Sequence, residues 1–283
     1  MADYNHQVHE MLEDRTTYKP VTNKRRNPTK RVKTHLKTKL LDLRKNNNLT
    51  EAEYKRLRPC DSTPASFYGL PKIHKVQLQP ANDHLILPKN IATTSVPLRP
   101  INSCIGAPTY ETSKHLAAIL RNLQEVTEYS VKNAKEFSSF IKTQRLQRDE
   151  TVVSFDVTSL FTSIPVDMAI NIVERKLNDT SNWKSHTNLT KGQIVDMLSY
   201  VLKNSYFTYG GTQYHQISGC AMGSPVSAVA AELVMQEVDK EALQTSPVQP
   251  RWWRRYVDDA NACLNKNEIH CFHNHLNSVN KHI

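Results

Sequence analysis

Apolar residues return every three to four positions through Val32, Leu36, Leu40 and Leu43, which predicts a helix from Thr29 to Asn46 with one apolar stripe. Asn46-Asn47-Asn48 breaks that rhythm. Thr50, followed by Glu53 three residues on, has the spacing of a capping box and opens a second, short helix through Leu57. From Pro59 to Ser103 no period survives: proline stands at 59, 64, 71, 80, 88, 97 and 100, each removing an amide donor and fixing φ, so the stretch reads as loop and short strand. Helical spacing returns at Leu116, Ile119, Leu120 and Leu123 behind Pro108, and again at Phe137, Phe140 and Ile141.

Thr151-Val-Val-Ser-Phe-Asp156 is rich in β-formers and nearly continuous in apolar residues, the pattern of a strand buried on both faces. Pro165 then opens a helix carrying Met168, Ile172 and Val173, and Thr190 with Gln193 caps another to Asn204. Tyr206 to Tyr209, Gly210-Gly211, and Thr212 to Gln216 read as a hairpin with a two-residue turn. Gly223-Ser224-Pro225 starts a helix through about Leu243, with Ser224 as cap and Pro225 at its first position. Trp252 to Val257 and Ala260 to Leu264 suggest a second hairpin bent at Asp258-Asp259. Helices mixed with short strands and no internal repeat predict an α+β fold. The chain divides into a helical segment 1–58, a proline-punctuated segment 59–150, and a strand, helix and hairpin region 151–283.

Charge sharpens this division. The 283 residues carry a formal +10, and between Arg15 and Lys45 twelve Lys or Arg stand against one acid, Asp42. The first long helix therefore has a basic remainder that could lie along phosphates; a solvated face without a ligand is the alternative. An apolar share of 39% suffices for one large or two smaller domains. The longest apolar stretch, Val226 to Val234, is interrupted by Glu232 and falls far short of the roughly 20 residues of a membrane helix, so no membrane partner is expected. Met-Ala-Asp-Tyr-Asn-His lacks the basic start and apolar run of a secretory signal, and five scattered cysteines fit a reducing compartment, cytoplasm or nucleus.

The acidic residues acquire meaning from their order. An Asp that ends a strand is ordinarily a cap or turn residue. Here a strand ending in Asp156, a Gly-Ser-Pro turn into a helix, and a hairpin with Asp258 and Asp259 follow one another, so carboxylates from separate strands could meet. Two Mg²⁺ ions need such bridging carboxylates, because hard cations take oxygen ligands. The reaction class that follows is nucleotidyl transfer. His270-Cys271, His273 and His275, with Cys263 upstream, are zinc-ligand types at a spacing that fits no structural zinc pattern, and an amphipathic helix is expected there.

Four blocks, in order, resemble the reverse transcriptases, and among them the Penelope-like retroelements. Phe67-Tyr-Gly-Leu-Pro-Lys-Ile-His-Lys75 with Pro97-Leu-Arg-Pro-Ile101 is similar to that group's fingers motifs. Ser154-Phe-Asp156 through Pro165 is similar to the first palm motif, Gly219-Cys-Ala-Met-Gly-Ser-Pro225 to the second, and Arg255-Tyr-Val-Asp-Asp259 to the catalytic hairpin. The resemblance implies a right-hand polymerase with an antiparallel palm sheet packed on helices, in which 1–58 is a basic helical segment, 59–150 the fingers-like region and 151–283 a palm region incomplete at its C-terminus. It implies RNA-directed DNA synthesis, with an RNA template, a primer strand and a dNTP as partners, and two Mg²⁺ ions for which Mn²⁺ can substitute. Asp156 and Asp258 would ligate both ions, with Asp259 assisting. Arg99, Lys72 and Lys75 would meet the triphosphate, Arg through its planar fork and Lys as a mobile charge. Phe161, five residues after Asp156, would exclude a ribose 2′-hydroxyl. Gly223 and Ser224 would let the backbone approach template and nucleotide, Gln216 would hydrogen-bond nearby, and Tyr256 would pack beside the primer end.

Relatives have strands and a basic motif ahead of this chain's start, and residues 76–96 look inserted between two blocks. Leu276-Asn-Ser-Val-Asn280 resembles the start of the next palm motif, so the expected fragment is truncated before the thumb, with a thumb and endonuclease part of the parent polyprotein as missing partner. At the level of sequence two other readings stay open: a truncated, catalytically inactive retroelement remnant, and a non-catalytic basic RNA- or DNA-binding protein.

Overall fold

The computed structural model describes residues 2–22, 27–73, 79–81, 84–86 and 96–283. Helix α1 (Ala2–Glu13) leads into strand β1 (Tyr18–Pro20), and α2 (Pro28–Lys45) begins where the Asn27 side chain accepts from Lys30 N. Both halves of the Thr50/Glu53 capping box form at α3 (Glu51–Leu57). The proline-punctuated segment yields β2 (Ala65–Pro71), β3 (Gln79–Ala81), β4 (His84–Ile86) and β5 (Leu98–Ser103), followed by α4 (Tyr110–Leu120) and α5 (Ala134–Thr143). Strand β6 (Glu150–Asp156) then gives way to the single turn α6 (Leu160–Ser163) and to α7 (Val166–Asp179). The Thr190/Gln193 capping box opens α8 (Lys191–Lys203), and β7 (Tyr206–Tyr209) and β8 (Thr212–Gln216) form the first hairpin. Finally come α9 (Pro225–Thr245), β9 (Trp252–Tyr256), β10 (Asp259–Asn265) and α10 (Ile269–Val279).

These strands build a five-stranded sheet in the order β1-β8-β7-β2-β5 and a three-stranded sheet in the order β6-β10-β9, with β3 and β4 paired apart from both. The larger sheet is antiparallel except where β2 runs parallel to β7. Tyr18, Phe67, Phe207 and Tyr214 share one of its faces and bury against Val8 and Leu12 of α1. Each such side chain removed from water contributes about 1.5–3 kcal/mol. The smaller sheet is antiparallel throughout, and it packs Trp253, Ala260, Ala262 and Leu264 against Phe272 of α10. A separate helical core gathers Leu36 and Leu40, Leu116 and Leu120, Val173, Leu198, and Val229, Leu233 and Val234. Among the described residues no helix is long and apolar enough to cross a membrane.

Two features depart from the sequence reading. Strand β6 is not buried on both faces: Val152 is 38% exposed and Ser154 and Asp156 are exposed, while Val153 and Phe155 turn inward. An antiparallel sheet covered by helices on one side leaves its other face open, and Ser154 is the residue that breaks the apolar run in phase with that face. Ser224 precedes α9 but makes no side-chain cap; Val226 N instead donates to Ser113 Oγ on α4 at 3.0 Å, with Ser224 Oγ 2.8 Å from the same hydroxyl. The five-stranded sheet draws β1 from segment 1–58, β2 and β5 from 59–150, and β7 and β8 from 151–283.

Candidate active site

Register brings the carboxylates together. Strands β6 and β10 pair from Glu150↔Asn265 to Asp156↔Asp259, so the last residue of one stands opposite the first residue of the other. Alternation places Ser154, Asp156, Asp259 and Asn261 on the open face, where Ser154 Oγ donates to Asn261 Oδ1 at 2.8 Å. Tyr256 pairs with Asp259 on that face and is 51% exposed. Only Val257 and Asp258 connect β9 to β10, and Val257 takes a left-handed φ of 57°, rare for a β-branched residue. Its carbonyl accepts from Arg255 Nη1 at 2.8 Å, while the Asp258 carbonyl accepts from Val157 N at 3.1 Å. The turn is thereby tied to the residue that follows Asp156.

The clustering shows in the electrostatics. Burial pushes the Asp259 carboxyl above its ordinary range, and the neighbouring charges of Asp258 and Asp156 push it further. Among the described residues no three His, Cys, Asp or Glu side chains are already gathered as a cation cage. The donor set still fits a hard divalent ion, because it consists of carboxylates whose mutual repulsion an entering cation would relieve.

Two glycines fasten this site to the rest of the molecule. A Cβ on Gly219, at φ 73°, would fall 2.6 Å from Thr162 Cα and 2.8 Å from the Phe161 carbonyl oxygen, which already accepts from Cys220 N at 2.6 Å. A Cβ on Gly223, at φ 126°, would fall 2.3 Å from the Asn102 carbonyl oxygen, and Asn102 N donates to the Met222 carbonyl at 2.7 Å. The turn from Gly219 to Gly223 thus joins the α6 backbone to β5.

The remaining expected site residues separate into two groups. Gln216 is buried and its Nε2 donates to the Ser218 carbonyl at 3.1 Å, so its amide is engaged internally, as is the Ser224 hydroxyl by Ser113. Phe161 is half-buried against the helical core. Arg99 on β5 pairs with Leu70 on β2, and Lys72 N donates to the Pro97 carbonyl at 2.9 Å. Alternation sets Arg99 and Lys72 with the half-exposed Tyr68 and Leu70 on the face opposite Phe67. Lys75 lies outside the described residues. The histidine-rich segment forms α10, where His273 stacks on Phe155 at 6.1 Å between centroids and His275 Nε2 meets the Ala242 carbonyl at 3.0 Å. Sequence reasoning passed over Ser113 and the buried Arg255; the charge of Glu232 within an apolar helix was the available sign of the latter's partner.

No curated protein matches the chain in sequence. The telomerase of Candida albicans, solved with a TWJ fragment of telomeric RNA, is similar in fold, with a TM-score of 0.50 at 13% identity over 97% of this chain and 44% of that one. The BmCPV RNA-dependent RNA polymerase in its quiescent state gives a TM-score of 0.49 at 12% identity over 89% of this chain and 23% of that one. The chain spans less than half the length of either protein. The chain accordingly has the palm and fingers-like fold of a polymerase, with mixed helices and antiparallel sheet. The profile of the family described as reverse transcriptase (RNA-dependent DNA polymerase) matches residues 89–283, a span that holds Arg99, Asp156, Phe161, the Gly219–Gly223 turn and the Asp258-Asp259 hairpin, and the chain belongs to that family.

Proposed function

We propose that the chain is the fingers and palm part of a Penelope-like retroelement reverse transcriptase, which extends a primer 3′-hydroxyl with deoxynucleotides on an RNA template. The observation that carries this reading is the register of Asp156 opposite Asp259 with Asp258 in the intervening turn. In the reaction the primer 3′-oxygen bonds to the α-phosphorus of a dNTP, the bond from that phosphorus to its bridging oxygen breaks, and pyrophosphate leaves as the 3′-hydroxyl proton is lost. Two Mg²⁺ ions, with Mn²⁺ as substitute, supply the charge that stabilises attacking and leaving oxygens. Asp156 and Asp258 would hold those ions, with Asp259 assisting from the start of β10. Arg99 and Lys72, on the open side of the fingers sheet, meet the triphosphate. Phe161 stands against the sugar and Tyr256 beside the primer end. An element that copies itself into chromosomes must reach them, which places the protein in the nucleus for at least part of its life.

Primer extension on poly(rA) and oligo(dT) with dTTP and Mg²⁺, run beside Asp258→Asn, tests the reading. Extension that vanishes in the variant supports it. No extension by a folded, monodisperse wild type would replace it with the reading of a catalytically inactive remnant that binds RNA or DNA through its basic segment.

A further inference from the structure

Arg255 precedes Tyr256 on β9, and its side chain is only 2% exposed. A buried guanidinium is unfavourable unless its donors are met, and apolar residues of similar volume often replace a buried ion pair without loss of stability. Packing alone therefore does not account for a charge here. Its donors are met on two elements. From α9, Asp239 Oδ2 accepts from Nε at 2.6 Å, and Glu232 accepts two parallel bonds, from Nη1 at 2.9 Å and from Nη2 at 3.1 Å. Glu232 and Asp239 lie two helical turns apart, on one face of α9. Asp239 is itself held by Trp253 Nε1 at 3.1 Å. The backbone of Arg255 is fixed as well: its N donates to the Tyr129 carbonyl at 2.8 Å, and its carbonyl accepts from Val131 N at 2.9 Å.

From this anchored base Nη1 also reaches the Val257 carbonyl at 2.8 Å. Val257 is the residue in the left-handed conformation, and Asp258 follows it directly. We propose that Arg255 is a positioning residue for the aspartate hairpin: clamped to α9 by Glu232 and Asp239, it holds the Val257 carbonyl and so sets the Asp258 carboxylate against Asp156. The inference rests on the reading of Asp156 and Asp258 as metal ligands. It assigns to Glu232 and Asp239, which do not touch substrate, the task of aiming a group that does.

The test is Arg255→Lys in the full chain, which keeps a positive charge but has no fork to span α9 and the turn. Amide hydrogen exchange at residues 256–259, without metal or substrate, is compared with exchange along β6. Mn²⁺ affinity is read by electron paramagnetic resonance, and single dTTP addition on poly(rA) and oligo(dT) is read alongside primer–template affinity. The expected variant is folded, binds primer–template as the wild type does, exchanges faster at the turn alone, and loses about 10- to 100-fold in Mn²⁺ affinity and turnover. Glu232→Gln, which keeps the size of the clamp and removes its charge, is expected to loosen the same turn and decides the matter should the lysine variant aggregate. A folded variant with wild-type exchange at the turn and wild-type Mn²⁺ affinity overturns the proposal, and so does loosening spread evenly over β6, β9 and β10. A wild type that adds no nucleotide would refute the polymerase reading, while turn exchange and Mn²⁺ binding would still judge Arg255.

Discussion

Replacing Gly223 by alanine should be among the most damaging single-methyl changes in the molecule. The new Cβ would stand 2.3 Å from the Asn102 carbonyl oxygen and 2.9 Å from its carbon, and these are backbone atoms that cannot swing aside as the end of a side chain can. A non-glycine residue at φ 126° adds strain of order 1–3 kcal/mol, and forcing a methyl into a filled site typically adds about 1–3 kcal/mol more. The sum, about 2–6 kcal/mol, is a large fraction of the 5–15 kcal/mol that typically separates a folded domain from its unfolded chain. Gly210 is the control: its φ is 54°, but nothing lies within 4 Å of its ideal Cβ. There alanine carries a left-handed penalty of about 1–2 kcal/mol, partly offset by about 0.4–1 kcal/mol from a stiffer unfolded chain. Urea unfolding of both variants at matched m-values measures the difference. Because Asn102 lies on the strand that carries Arg99, Gly223→Ala should also raise the KM for dTTP, whereas Gly210→Ala should not. Equal losses of stability in the two variants would refute the argument that this turn is packed against β5 backbone.

Three further outcomes follow from the geometry. Asp259→Asn should raise the melting temperature of the metal-free protein at pH 7, since burial and the charges of Asp258 and Asp156 hold that carboxyl up. A raised carboxyl favours the folded state while protonated and disfavours it once ionised, so the gain should close as pH falls through the raised value; a gain that persists in acid would sink the explanation. Burial holds the imidazoles of His115 and His215 below their ordinary 6.5, so the unfolded chain takes up protons first. Their contribution is therefore complete above about pH 6.5 and declines as pH drops towards the folded values, and a pH series of denaturation midpoints on a His115→Gln, His215→Gln double variant should show a shallower slope just below 6.5. If Phe161 stands against the sugar as proposed, Phe161→Val should admit ribonucleotides, read as the rUTP to dUTP ratio in single additions, and unchanged sugar selectivity would refute that role.

The α+β expectation, helices packed on an antiparallel palm sheet, could be read because several elements carry their own local sign. Asp258-Asp259 interrupts two β-rich runs, Gly210-Gly211 marks a two-residue turn, and the boxes at Thr50 and Thr190 announce helix starts. Neighbourhood carries no such sign. The β7–β8 hairpin was legible as a hairpin, but its parallel pairing of Phe207 with Ala65 joins residues more than a hundred positions apart, which no period encodes. Helix α1 was passed over although its anchors Tyr4, Val8, Met11 and Leu12 recur at helical spacing. The same distinction runs through the site. Residue type marks the groups proposed to touch substrate: Asp156, Asp258 and Arg99 have side chains whose chemistry suggests a ligand. The residues that hold those groups in place are ordinary by type and become visible only through what lies across from them, Gly219 against Thr162, Gly223 against Asn102, and Ser113 against the start of α9. Arg255 stands between the two cases. It lies on the hairpin whose turn it secures, yet its partners Glu232 and Asp239 lie on a different element, and one of them already stood out as the charge interrupting Val226 to Val234. A charged residue inside an apolar helix asks for a buried partner, and here that partner holds the turn that carries the candidate metal ligands.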